Sequence, residues 1–213
     1  MRKIALIIII FCFTGSIYAQ KVQMGLKFNP NLGWFKVDDK TKIENNGLGV
    51  GFSYGLIIDF HILDNIALCF EPAHLFYNPS TNIRDSNVNV KWKVQYIEIP
   101  LSLKMMTSQR GKLKYFGKIG ISTSIKTSAK LEGEKANSSV AALDFAMLIG
   151  GVIHYSLGGN TALLLGATFH NGLARINKDN SFINLNIPGT RSLSLKDIKL
   201  KSSFISLDIG ILF

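Results

Sequence analysis

The chain has 213 residues, 18% of them charged, and a formal net charge of +10. That length allows one sizeable β domain or two small ones. Its only cysteines are Cys12 and Cys69, which excludes a fold built on a disulfide framework.

Arg2 and Lys3 open the chain, an apolar run follows, and small residues lead to Ala19. This is the layout of a secretory signal peptide spanning residues 1–19 and cut after Ala19. The apolar run is about ten to fifteen residues long, short of the roughly twenty that a membrane-anchoring helix requires. A lipoprotein anchor on Cys12 is rejected, because Ile9, Ile10 and Phe11 before it are too bulky. Cleavage leaves Cys69 alone and lowers the formal charge to +8, since Arg2 and Lys3 leave with no acid. A basic balance suggests nucleic acid, which an exported chain does not meet. Anionic lipid headgroups or an acidic surface fit better, and solvated loops account for part of the charge.

Eight strand-length segments follow, most with a period of two. Residues 22–29 alternate Val22, Met24, Leu26 and Phe28 with Gln23, Gly25, Lys27 and Asn29. Residues 48–62 set Phe52, Tyr54, Leu56, Ile58, Phe60 and Ile62 against Ser53, Gly55, Asp59 and His61. Residues 66–77 set Ile66, Leu68 and Phe70 against Ala67, Cys69 and Glu71. The clearest segment is residues 96–106, YIEIPLSLKMM, which extends back to about Lys91. Ile97, Ile99, Leu101, Leu103 and Met105 are apolar there, and Glu98, Pro100, Ser102 and Lys104 alternate with them. Residues 113–127 place Ile119, Ile121 and Ile125 opposite Lys118, Gly120, Ser122, Ser124 and Lys126. Residues 139–157 place Leu143, Phe145, Met147, Ile149, Ile153 and Tyr155 opposite Asp144, Ala146, Gly150 and His154. Residues 161–176 place Leu163, Leu165, Ala167 and Phe169 opposite Gly166, Thr168 and His170. Residues 203–213 close the chain, with Ile205, Leu207, Ile209, Ile211 and Phe213 opposite Ser206, Asp208 and Gly210.

The connections decide the architecture. Residues 63–65, 108–111 and 158–160 are short and turn-rich. Residues 35–47, 79–89, 128–138 and 177–199 are longer and polar, and the two kinds alternate. An eight-stranded antiparallel up-and-down transmembrane β-barrel sorts its connections in this way, with short turns on the periplasmic side. The sequence therefore predicts one all-β domain over residues 20–213, apolar face toward lipid and polar face toward a lumen filled by side chains. Pro72 and Pro100 lie within predicted strands and are expected at bulges or near a rim.

Lys27, Asp59, Glu71, Glu98, Lys104, Lys118, Asp144 and Asp208 share the polar face. They are expected to form a structural network of paired charges, because a buried charge without a partner is costly. His61, His154 and His170 fall on the same face, and His74 near the end of the third strand, with no metal-ligand spacing among them. No G-x-S-x-G elbow occurs, so neither catalysis nor a cofactor is expected. Trp34, Tyr54, Trp92, Tyr96, Tyr115 and Tyr155 are candidates for interfacial girdles. The terminal alternating strand ending in Phe213 has the form of the signal by which outer-membrane assembly machinery recognises its barrels.

GLKFNPNLGWF (residues 25–35), YIEIPLSLKM (96–105), YSLGGNTAL (155–163) and the final strand together resemble the PorT-like outer-membrane β-barrel proteins of the Bacteroidetes. The resemblance spans nearly the whole mature chain and is most specific at YIEIPL, Pro100 included. It implies a small barrel in the bacterial outer membrane and no catalytic residues. The family's name-giving member is linked to type IX protein secretion, and that role is not carried over. The expected partners are outer-membrane lipid, the assembly machinery and a protein at the long loops, with no nucleic acid. Two other readings stay open on the residues alone. One is a secreted soluble β-barrel with an apolar ligand inside, and the other is a narrow solute channel.

Overall fold

A computed structural model describes residues 22–37, 43–45, 47–83, 88–177, 182–183, 193–194 and 199–213. The signal peptide expected over residues 1–19 lies outside the described residues. Eight walls form the molecule: β1 Val22–Val37, β2 Gly49–Leu63, β3 in three pieces (Ile66–Phe70, Ala73–Tyr77 and Ser80–Ile83), β4 Val88–Met106, β5 Leu113–Leu131, β6 Leu143–Gly158, β7 Thr161–Gly172 and β8 Leu200–Leu212. Each pairs antiparallel with the next, and β8 pairs back onto β1 in the register Phe28↔Ile209. The ring therefore has no edge, and backbone groups facing lipid find their partners within it.

The alternation decides which face is which. Leu101 and Leu103 are exposed on the outside of β4, while Ser102 and Lys104 between them are buried at 3% and 1%. The same holds around the ring, with Leu26, Ile121, Ile149, Leu165 and Ile209 outside. A soluble barrel around an apolar ligand needs the opposite arrangement, so that reading is set aside. On β4 the outward apolar band runs from Ile97 to Met105. Nine residues at about 3.3 Å each, tilted by about 40°, span roughly 23 Å, close to the height of about 25 Å of an outer-membrane apolar band.

At the end carrying the long connections the walls are taller than predicted. β3 continues to Ile83, β4 begins at Val88, and β5 reaches Leu131 before folding back as Glu134–Lys135. Much of the connections expected over residues 79–89 and 128–138 is therefore strand. Ile43–Asn45 adds to the outer piece of β3. Inside this extension Phe35, Tyr77, Val90, Trp92, Val94, Leu131 and Leu200 form a buried apolar cluster. Above the bilayer the outer face meets water, so apolar side chains turn inward and polar ones outward, as in a soluble β domain.

The prolines sit differently from expectation. The register is continuous past both, with Phe70↔Leu101 followed by Ala73↔Glu98, so neither occupies a bulge. The Glu71 amide donates to the Pro100 carbonyl at 3.1 Å and the Leu56 amide to the Pro72 carbonyl at 2.9 Å. Each proline keeps its acceptor bond and omits only the donor bond. The register shifts that do occur lie at His61/Leu63, Gln95/Tyr96 and Ser156/Gly158.

Candidate functional site

The barrel interior holds the chemistry-bearing residues, because inward positions on neighbouring walls converge across a narrow lumen. Glu71 from β3 lies at its centre. Its Oε2 accepts from Lys27 of β1 at 3.1 Å and from Lys118 of β5 at 3.2 Å. Lys104 of β4 stands 3.9 Å from Oε1 and holds both carboxylate oxygens of Asp59 at 2.8 and 2.9 Å. Lys118 also reaches Asp208 of β8 at 3.1 Å. Three lysines and three carboxylates thus form one neutral chain of contacts. Asn29, Thr168 and Ser206 donate to the Asp208 carboxylate, and the Cys69 thiol donates to Glu71 Oε1 at 3.2 Å.

Two of the eight predicted polar-face residues stand apart. Glu98 accepts from Ser122 Oγ at 2.8 Å and lies 3.2 Å from His170 Nδ1. The His170 ring stacks on Phe204 with centroids 4.1 Å apart. Among the described residues Asp144 meets no cation. It accepts from Ser202 Oγ and from the Phe145 amide. The Ser122–Glu98–His170 order puts the carboxylate between hydroxyl and imidazole, whereas activation of a serine needs imidazole between the other two. Among the described residues no group of three or more His, Cys, Asp or Glu side chains is placed to hold a metal ion.

The other histidines lie elsewhere. His61 and His154 line a cup of about 710 Å³ at the short-turn end, with Gln23, Lys114 and Asn160. His74 is on the outer surface, in mid-wall rather than at a strand end. Its Nδ1 is 3.2 Å from the Tyr54 hydroxyl, beside Phe76. Of the aromatic candidates, Trp92 and Tyr96 are buried inside rather than in a girdle, while Tyr54, Tyr115 and Tyr155 face outward. Sequence reasoning missed Asn29, Ser202 and the serine and threonine donors as partners. Their inward alternation was the available signal.

Between the charges remains a cavity of about 10 Å³, bounded by Lys27, Glu71, Lys104, Phe116 and Lys118. That is space for about one water molecule. The apolar cluster of Phe35, Tyr77 and Trp92 lies beyond it toward the long connections.

A family model described as outer membrane protein beta-barrel domain matches residues 18–176, well over half of the chain. The chain belongs to this outer-membrane β-barrel family. The matched segment carries β1 to β7, and β8 completes the ring by pairing on both sides. Among solved structures, OprG of Pseudomonas aeruginosa is similar at 9% identity, over 91% of this chain and 97% of that one, with a TM-score of 0.54. Neisserial surface protein A is similar at 12% identity, over 90% and 97%, with a TM-score of 0.50. At such identity these likenesses concern the fold, an antiparallel outer-membrane barrel. No curated protein matches the sequence. As a member of the family the protein resides in the outer membrane, with its apolar band against lipid.

Proposed function

We propose that the protein is a non-catalytic outer-membrane barrel that carries surface structure: its long connections face outward and serve adhesion, ligand contact or docking to a protein assembly. The observation that carries this reading is the filled interior, which leaves the tall loop-end extension as the elaborated surface. Residues 1–19 act as the signal peptide, residues 20–213 form the barrel domain, and the assembly machinery reads the C-terminal segment of β8 together with Phe213. The YIEIPL element supports kinship with PorT-like proteins of the Bacteroidetes, and docking to a secretion complex is one form the interaction role takes. The charge network inside is structural.

The test combines two measurements on cells. Membranes washed in carbonate are run on SDS gels with and without boiling, and intact cells are treated with an external amine-reactive label. The expected result is membrane retention, a heat-dependent mobility shift and labelling at Lys199, which is exposed at the long-connection end. Labelling of Lys114, near the short turns, before Lys199 would reverse the proposed orientation. Release by carbonate with no shift would refute the membrane barrel.

A further inference from the structure

Four lysines crowd one corner of the outer wall at the loop end. Lys93 of β4 is paired in register with Lys130 of β5, and Lys130 with Lys135 of the fold-back segment. Lys91 lies two residues from Lys93 on the same face, and all four are exposed. Like charges directly opposite one another destabilise a sheet. Among the described residues none of the four has an acidic side chain within ion-pair distance. Glu132 accepts from the Lys91 backbone amide rather than from an ammonium group, and Glu134 is paired with Leu131, not with a lysine.

The height of this corner identifies what would neutralise it. On β4 the last lipid-facing residue is Ile97, and on β5 it is Ile125, paired with Ile97. Lys93 is four residues beyond Ile97, about 13 Å along the strand and about 10 Å along the membrane normal at a typical barrel tilt. The headgroup layer is about 5 to 8 Å deep on each side, so the backbone of Lys93 stands just above it and a lysine side chain is long enough to reach down to its phosphates. The cluster is continuous with the lipid-facing wall.

We propose that Lys91, Lys93, Lys130 and Lys135 bind the phosphate groups of a phosphorylated glycolipid in the outer leaflet. The bound anion bridges β4 and β5 and relieves the repulsion within the cluster, while the acyl chains lie against Ile97, Leu101 and Ile121. This rests on the outward orientation proposed above.

The full mature chain is reconstituted in phosphatidylcholine nanodiscs and titrated with diphosphoryl lipid A or with its phosphate-free form, retention being read by native mass spectrometry. With each surface lysine worth about 1 kcal/mol toward anionic lipid, the diphosphoryl form should be held at least about tenfold more tightly. The preference should fall when Lys91→Gln, Lys93→Gln, Lys130→Gln and Lys135→Gln are combined, and should weaken with added salt. Equal retention of the two lipids, or a preference unchanged in the combined variant, overturns the proposal. So does equal binding of heparin by the protein in neutral detergent, which would assign the cluster to a soluble polyanion. A heat-dependent gel shift checks that the variant folds. If the variant alone loses the shift, the salt dependence of the wild type decides. If the wild type lacks it, the membrane barrel itself is refuted.

Discussion

Glu71 is a carboxylate shared by three lysines in a space that admits about one water. Removing one member of a buried ionic set leaves the others uncompensated, at a cost of about 3 to 5 kcal/mol. Glu71→Gln should therefore lower the stability of the refolded barrel by that amount in urea titrations in lipid vesicles. Asp144→Asn is the informative contrast. Asp144 has no cation beside it among the described residues, and an amide can still accept from the Phe145 amide and donate to Ser202 Oγ. Its loss should stay within about 1 kcal/mol, the net scale of a neutral hydrogen bond. Equal losses at the two positions would contradict the division of the interior into a charge network and a separate neutral pocket.

At the scale of elements, contact between β4 and β5 depends on Gly120. A Cβ there would stand 2.1 Å from the Leu101 carbonyl oxygen and 2.6 Å from Cα of Ser102. Gly120→Val should push the two walls apart and cost about 1 to 3 kcal/mol, the usual scale of overpacking. At Gly151 nothing lies within 4 Å, so Gly151→Ala should change stability by less than about 0.5 kcal/mol. The same urea titration checks both, and comparable losses would show that close strand approach at Gly120 is unimportant. The walls inside the membrane were legible in sequence because the pattern there is uniform, as Ile97 to Met105 illustrates. The taller parts of β3 and β4 were not, because the sense of the alternation reverses above the bilayer. Ser80, Thr81, Asn82 and Asn89 read as a polar loop until they are seen paired as strand, with Tyr77, Val90 and Trp92 beside them pointing inward. The interior was legible as a set of polar positions but not as a set of partners. Asn29 and Asp208 are 179 residues apart and meet only because β8 closes on β1.

For the whole molecule, the interior is blocked at successive levels. The charge network leaves about 10 Å³, and toward the long connections Phe35, Tyr77, Trp92 and Leu131 pack into an apolar plug. Ions crossing the lumen would have to pass both, and an apolar plug offers them no replacement for hydration. The wild-type protein in planar bilayers bathed in molar potassium chloride should accordingly show no stepwise conductance. Combining Glu71→Ser with Lys104→Ser opens the charged level but leaves the plug in series, so that variant should also remain silent. Steady conductance steps in the wild type would instead establish the narrow channel that the sequence alone left open. Steps only in the double variant would show that the charge network is the seal and that the apolar cluster is permeable to water. Silence in both would place the block where the apolar side chains turn inward, at the level where the wall leaves the bilayer.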